Sequence, residues 1–122
     1  MSLLYKELSY KIIGIAMEVH RELGPGFLEK VYENSMMLLL KEKGIEAKQQ
    51  YPIPVHFKGT KIGEYFADIL VDDKVILELK TVDKITNLFR AKAIHYLKAT
   101  EKKLAIIINF KSESLQYERI VL

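Results

Sequence analysis

An apolar run near the end of the chain, Leu104 to Phe110 (LAIIINF), limits the folds that this sequence can adopt. The run has the length of a β-strand but lacks the polar–apolar alternation of a strand that keeps one face in water. A strand of this kind is covered on both faces. We therefore predict a central strand inside a sheet against which helices pack.

The remaining segments supply helices and strands for such a sheet. From Leu8 to Leu23 apolar residues recur at helical spacing. Gly24-Pro25-Gly26 ends that helix, because glycine suits a C-terminal cap and proline cannot continue a helix. The other predicted elements are a helix from Phe27 to Lys43, strands from Gln49 to Phe57, Ile62 to Val71 and Lys74 to Thr81 with Asp72-Asp73 as the hairpin turn between the last two, a helix from Asn87 to Thr100, and a strand from Leu115 to Leu122. The order α-α-β-β-β-α-β-β predicts an α/β chain of the α+β type, with a mixed central sheet flanked by helices.

Two strands carry more specific expectations. Pro52 and Pro54 cannot donate hydrogen bonds to a ladder, so the first strand is expected at an edge of the sheet. In the second strand the two-residue period predicts that Phe66, Asp68 and Leu70 share a face.

Length and composition narrow the classes of protein. A chain of 122 residues with 49% apolar content is expected to form a single globular domain, residues 1–122. It contains no cysteine, which excludes disulfides, thiolate catalysis and a cysteine-ligated zinc site. The net charge of +3 slightly favours a polyanionic partner such as nucleic acid.

The N-terminal residues bear on location. Lys6, Glu7 and Lys11 stand where a signal peptide would need its apolar stretch. No window approaches the roughly 18 continuous apolar residues of a membrane span. We therefore expect a cytoplasmic protein without a membrane partner.

Two acidic residues and a lysine in the second and third strands carry the chemistry. The hairpin brings Asp68 close to Glu78, and with the backbone carbonyl of Leu79 they offer the hard oxygen ligands that Mg²⁺ or Mn²⁺ prefers. Lys80 lies two residues beyond Glu78 and hence on the same face of the strand. Such a lysine can orient or deprotonate an attacking water and stabilise developing negative charge.

The pattern Asp-x9-Glu-x-Lys is loose, and a glutamate and lysine two apart often form an ordinary surface network. Glu78 and Lys80, however, stand in VILELK, a strand otherwise apolar enough to be buried. Unpaired buried charges are costly. Buried charges of both signs at one strand end therefore favour a functional site.

The two predicted flanking helices add further candidates. Glu29 and Glu33 are four apart on one helical face, with Tyr32 adjacent. Acids at a helix start also complement the helix dipole, which is the simpler explanation for Glu33 and leaves both roles open for Glu29. The later helix carries Arg90, Lys92, His95, Tyr96 and Lys98. This basic, aromatic face could lie along phosphates, although a solvated face is the commoner explanation.

Other chemistries lack support in the sequence. There is no GxxxxGK[ST] loop, no Ser-His-Asp set and no histidine pair at metal-ligand spacing. His20, next to the Gly24-Pro25-Gly26 loop, either hydrogen-bonds into the site or caps a turn. His56, in the edge strand, is expected at the surface.

The segment GFLEKVY, with Gly26, Glu29 and Tyr32, resembles the signature of the GxxExxY protein family, within the PD-(D/E)xK nuclease superfamily. The likeness continues through FKGTKIGEYFADILVDDKVILELK to AIHYLKAT and AIIINF. It implies a restriction-endonuclease-like core and a divalent-metal-dependent nuclease.

The resemblance also implies roles for single residues. Asp68 corresponds to the acid of the PD element, and Glu78 and Lys80 to the ExK element. Glu29 matches the helix glutamate that completes such sites, and Tyr32 its partner.

Two further positions match the family, and two depart from it. His20 falls in the VHxxLGPG stretch, and Tyr96 takes the tyrosine position of a QxxxY element. Ala67 replaces the proline of PD, whose side chain carries no chemistry. Lys92 replaces the glutamine of QxxxY, which changes the charge near the metal.

The sequence thus supports three hypotheses. The first is a Mg²⁺- or Mn²⁺-dependent nuclease in which Asp68, Glu78, Leu79 and Glu29 bind the metal, and Arg90, Lys92 and Tyr96 help to hold the strand. The second is a non-catalytic module on the same fold that binds nucleic acid or protein. The third is a phosphoesterase acting on nucleotides. A chain this short is expected to need a homodimer or another partner for sequence-specific cleavage.

Overall fold

A computed structural model of the chain describes residues 3–122. The helices are α1 (Lys6–Leu23), α2 (Glu29–Glu42) and α3 (Asn87–Thr100), and the strands are β1 (Ala47–Phe57), β2 (Thr60–Val71), β3 (Val75–Lys80), β4 (Leu104–Asn109) and β5 (Gln116–Val121). The predicted order of elements is confirmed, and the ends differ by a few residues because terminal turns and strand ends are weakly encoded. Within the described residues, no helix is long and apolar enough to cross a membrane.

The five strands form one mixed sheet in the order β1-β2-β3-β4-β5. β3 and β4 are parallel, and the other neighbours are antiparallel. Helix α3 makes the crossover that a parallel pair requires. All six residues of β4 are buried, so the prediction of a strand covered on both faces is confirmed.

Two apolar cores lie on opposite faces of this sheet. One packs α1 and α2 against β3 through Val75, Leu77 and Leu79. The other packs α3 against Ile76 of the same strand. Alternate side chains of VILELK therefore pack into the two opposite cores. Glu78 and Lys80 follow Ile76 on the face that α3 covers.

The edge position predicted for β1 is confirmed by the strand order. Pro52 and Pro54 are both exposed there. The hairpin turn between β2 and β3 is also confirmed. Asp72 and Asp73 have φ angles of 52° and 55°, the left-handed conformation of a type I′ turn.

The expected shared face for Phe66, Asp68 and Leu70 is wrong. Ala67 packs in the same core as Leu70, on the α3 side, whereas strict alternation would separate them. The regular pairing of β1 with β2 is interrupted where Gln50 lies opposite Asp68. Gln50 has a φ of 53°, and no residue pairing joins these two positions. A local twist here changes which side of the strand faces each core.

Beyond this twist, β2 leaves the main sheet. It pairs with β3 only from Ile69 to Val71. Its earlier part, from Thr60 to Ala67, pairs with β1 alone. The β1–β2 ribbon therefore extends past the sheet, and the gap that opens between β2 and β3 receives the side chains of Asp68 and Glu78.

Candidate active site

Asp68 and Glu78 bridge the gap where β2 and β3 separate. Glu78 Oε2 accepts a hydrogen bond from the backbone N–H of Asp68, with a distance of 3.0 Å. Asp68 Oδ2 accepts one from the backbone N–H of Leu79 at 2.7 Å. Each carboxylate thus replaces a missing ladder bond, and the two acids predicted to converge do so.

The environment of this pair disfavours negative charge. Burial and the nearby Asp68 carboxylate raise the pKa of Glu78 to about 7, although the Lys80 and Lys92 ammonium groups act in the opposite direction. Burial also raises the pKa of Asp68, and the Glu33 carboxylate adds to the effect. A cation placed between the two carboxylates would relieve their repulsion.

Lys80 lies at the edge of the same site. Its ammonium nitrogen is 4.8 Å from the centroid of the Phe89 ring on α3, within range of a cation–π interaction. It is close enough to Asp68 and Glu78 to lower the pKa of each. In residues 3–122, no carboxylate forms an ion pair with Lys80. Its charge is therefore held beside the acids by packing.

The start of α2 is attached to the end of β3. Glu29 Oε2 accepts a hydrogen bond from the backbone N–H of Thr81 at 3.0 Å. Gly26 precedes the helix with a φ of 116°, a conformation in which a residue with a side chain would be strained. The Glu29 carboxylate is thereby placed at the C-terminal end of the strand that carries Glu78 and Lys80.

Tyr32 fixes the loop that leads into α2. Its hydroxyl donates to the carbonyl of Gly24 at 2.6 Å and accepts from the backbone N–H of Phe27 at 3.3 Å. Its ring stacks on Phe110, with centroids 4.4 Å apart and planes at 9°. The side chain is fully buried, so its role is to support the site and not to contact nucleic acid.

His20 also supports the fold around the site. Its Nε2 lies 2.7 Å from the carbonyl oxygen of Ser112, in the loop between β4 and β5. The side chain is buried near Phe110. His20 therefore joins the C-terminal end of α1 to this loop. His56 is exposed, as expected from the edge strand.

Glu33 has a larger part in this region than the helix-dipole explanation predicts. The side chain is buried, and its carboxylate accepts hydrogen bonds from Lys30, Gln49 and Gln50. Glu33 raises the pKa of Asp68 more than Glu29 does. Its four-residue spacing from Glu29 was the available signal, but nothing in the spacing shows that the two glutamines of β1 lie opposite it.

Asn109, at the end of β4, was not anticipated as part of this region. It is fully buried, and its amide both donates to the carbonyl of Val82 at 2.8 Å and accepts from the N–H of Val82 at 3.1 Å. The segment that follows Lys80 is held against β4 by this pair of bonds. A polar residue inside the otherwise apolar LAIIINF run was the signal for such a role.

Helix α3 brings two of its three predicted residues to the site. Burial raises the pKa of Tyr96, and the Glu78 and Asp68 carboxylates add to this effect. Lys92 lies with its ammonium nitrogen 5.5 Å from the centroid of the Tyr96 ring, and it lowers the pKa of Glu78. Both residues are therefore near enough to the carboxylates to interact with them electrostatically.

Arg90 is bound to an acidic side chain on β5. Its Nε and Nη2 donate to the two carboxylate oxygens of Glu118 at 2.8 and 2.7 Å. Further donations go to Asn87 Oδ1 and the carbonyl of Ile85. A guanidinium occupied in this way ties α3 to β5, and the geometry supports that structural role in place of the phosphate contact suggested by the sequence.

The donor set of the site fits a divalent cation in part. Each carboxylate uses one oxygen for a backbone N–H, and in the described chain neither Asp68 Oδ1 nor Glu78 Oε1 accepts a hydrogen bond. These hard oxygens suit Mg²⁺ or Mn²⁺. Across residues 3–122, however, no three His, Asp or Glu side chains come together as a ligand cluster. The pair is an incomplete coordination shell that water or substrate oxygens would have to fill.

Comparison with known proteins agrees with this fold. Residues 6–120 match the family model of the PD-(D/E)XK nuclease superfamily. The chain belongs to this superfamily, whose members generally use divalent metals. No curated protein sequence matches it.

A solved structure is similar as well. The crystal structure of SSO0001 shares 15% sequence identity with this chain and superimposes with a TM-score of 0.56. The match covers 75% of this chain and 48% of SSO0001, so it spans about half the length of that protein. At this identity the similarity shows a common fold.

Proposed function

We propose that this protein is a divalent-metal-dependent nuclease, formed by a single domain and belonging to the GxxExxY branch of the superfamily. The observation that carries the proposal is the reciprocal bonding of Asp68 and Glu78 at the separation of β2 and β3. It holds the buried Glu78 carboxylate next to the half-buried Asp68 carboxylate. Lys80 is close enough to lower the pKa of both. The superfamily membership supports a nucleic acid substrate and a metal cofactor.

The residues would divide the chemistry as follows. Asp68, Glu78 and the Leu79 carbonyl would hold Mg²⁺ or Mn²⁺ directly. Glu29, which in the described chain forms no three-residue ligand cluster with the two acids, would reach the ion through water. When bound, the ion supplies Lewis-acid stabilisation of the charge that develops on a phosphoryl oxygen. Lys80 Nζ would orient the attacking water and stabilise the negative charge as one P–O ester bond breaks. Lys92 and Tyr96 would border the strand being cut.

Cleavage assays with matched variants test the proposal. Labelled DNA and RNA, single- and double-stranded, are incubated with Mg²⁺, Mn²⁺ or EDTA. Asp68→Asn keeps an oxygen that can accept the Leu79 N–H but removes the charge, and Lys80→Ala removes the ammonium. Both are expected to lower the cleavage rate by roughly 100-fold or more. Asp72→Asn and Lys74→Ala, at the exposed turn, serve as controls and are expected to cut normally.

Two other outcomes favour the remaining hypotheses. If the wild type cuts no polymer, and calorimetry detects no metal binding that depends on Asp68 and Glu78, the chain is a binding module on the nuclease fold. If it hydrolyses nucleotides but not polymers, it is a phosphoesterase. Cleavage at defined sequences is expected to require a homodimer or a partner, and a strictly monomeric protein that cuts at such sites would contradict this.

A further inference from the structure

A groove of about 790 Å³ runs between helix α3 and the β1–β2 ribbon. Ile53 and His56 of β1 and Tyr65 of β2 form one wall. Helix α3 forms the other with residues spaced three to four apart, among them Lys92 and Tyr96. The two walls meet where the Tyr65 and Tyr96 rings lie 6.1 Å apart.

The charged side chains that line this groove are basic. Lys92 and Lys98 line it together with His56 and His95, and no acidic residue of the described chain does. Neither lysine takes part in an ion pair within residues 3–122. Their positive charges are therefore available for a polyanion, and phosphate groups are the ligands that a row of such side chains neutralises.

Three aromatic residues, Tyr65, Phe89 and Tyr96, form part of the apolar lining of the groove. Tyr65 is 52% exposed, so part of its side chain is open to a ligand. Phe89 also lines the groove, and the Lys80 ammonium lies over its ring. Exposed aromatic rings beside lysines bind the faces of nucleic acid bases, which are accessible only where the bases are unpaired.

The groove is continuous with the site. Phe89 lines it and lies 4.8 Å from the Lys80 ammonium, measured from the ring centroid. Lys92 and Tyr96 line it as well, and both interact electrostatically with the carboxylates. A strand lying in the groove would thus pass from Tyr65 and Lys98 towards Asp68 and Glu78. A duplex would present paired, stacked bases, whose faces Tyr65 cannot reach.

We propose that the groove binds an unpaired segment of DNA or RNA, with a base stacked on Tyr65 and phosphates on Lys92 and Lys98, and directs it to the carboxylate pair. The inference rests on the proposed nuclease function, whose substrate class it specifies as single-stranded nucleic acid.

Binding is measured without cleavage to separate the two proposals. The fluorescence anisotropy of labelled single-stranded and duplex oligonucleotides is followed in EDTA, as DNA and as RNA. Wild-type protein is expected to bind single strands at least tenfold more tightly than duplex. Tyr65→Ala is expected to weaken single-strand binding on the order of tenfold, whereas Tyr65→Phe keeps the affinity. Lys98→Ala is expected to weaken binding and to reduce its salt dependence.

Tyr10→Ala and Lys11→Ala, on α1 and outside the groove, are the matched controls and should leave the affinity unchanged. Circular dichroism checks that each variant is folded. Equal affinity for single strands and duplex, no detectable binding, or equal effects of Tyr65→Ala and Tyr10→Ala would each overturn the inference. Single-strand binding in a protein that cuts nothing with Mg²⁺ or Mn²⁺ would overturn the nuclease proposal and leave the groove assignment standing.

Discussion

Glu78 lies next to Asp68 across the gap between β2 and β3, and each acid anchors the backbone beside the other. The arrangement positions both carboxylates, but it also brings the buried Glu78 and the half-buried Asp68, two like charges, together. Burial and Asp68 raise the pKa of Glu78 from 4.5 to about 7. Ionising Glu78 therefore destabilises the folded protein, and the free energy of unfolding depends on pH.

We predict that the metal-free protein loses stability as the pH rises from about 5 to about 8. Folded Glu78 keeps its proton up to about pH 7, whereas the unfolded chain releases it near 4.5. The folded state thus binds more protons in this window, so the free energy of unfolding falls with pH, by on the order of 2–3 kcal/mol. Urea unfolding in EDTA at several pH values measures this change.

Glu78→Gln is the control for this prediction. Its amide can still accept the Asp68 N–H but does not titrate, so its stability should vary much less across the same window. A wild-type protein that gains stability as the pH rises from about 5 to about 8 would contradict the assignment of a raised pKa to Glu78.

Divalent metal is expected to stabilise the protein. Mg²⁺ at about 100 times its Kd would increase the free energy of unfolding by about 2.7 kcal/mol, because it binds the folded state alone. The effect should be larger at pH 8, where both carboxylates are ionised, and absent in Asp68→Asn. Asp72→Asn is a charge-matched control that should respond like the wild type. Thermal unfolding with and without Mg²⁺ measures the difference, and an equal response of Asp68→Asn would contradict a site at this pair.

Tyr32→Phe tests how the loop before α2 is held. The variant keeps the stacking on Phe110 but leaves the carbonyl of Gly24 and the N–H of Phe27 without their hydroxyl partner. We expect a loss of about 1–2 kcal/mol in the free energy of unfolding, measured in urea. Tyr10→Phe removes an exposed hydroxyl and should change stability by less than about 0.5 kcal/mol. Equal effects of the two variants would show that the Tyr32 hydroxyl does not hold this loop.

Arg90 and Glu118 are expected to act as a structural pair. Arg90→Ala should destabilise the protein at least as much as Glu118→Ala, because it also removes the hydrogen bonds to Asn87 and Ile85. The double variant should be little less stable than Arg90→Ala, because both single changes remove the same contact between α3 and β5. Nucleic acid affinity should stay within about twofold of the wild type in Arg90→Ala. A tenfold loss of affinity, with Glu118→Ala unaffected, would return Arg90 to the role of a phosphate ligand.

Much of the fold follows from local sequence pattern. LAIIINF identified a strand buried on both faces, Pro52 and Pro54 identified an edge strand, and Asp72-Asp73 identified the hairpin that brings Asp68 to Glu78. Each of these signals states a local physical requirement, such as burial, a missing N–H or a left-handed turn. Requirements of this kind act within a few residues and can be read without knowing the rest of the fold.

The parts that sequence did not reveal depend on contacts between distant elements. Glu33 meets Gln49 and Gln50 only because α2 packs across the start of β1. Arg90 is bound by Glu118, which lies 28 residues further along the chain. The reversal of facing at Asp68 reflects a twist shared by two strands, and the two-residue period of one strand cannot report it.

The β1–β2 ribbon pairs with the rest of the sheet only near its base. Changes in its outer part are therefore separate from changes to the residues that carry the chemistry. Its outer part can be lengthened, shortened or resurfaced without touching the parallel β3–β4 pair, where Glu78 and Lys80 are held. Mutations there would reshape the wall that Tyr65 provides and leave the chemistry intact. The ribbon is therefore the natural place to engineer, or for evolution to alter, what the protein accepts while conserving what it does.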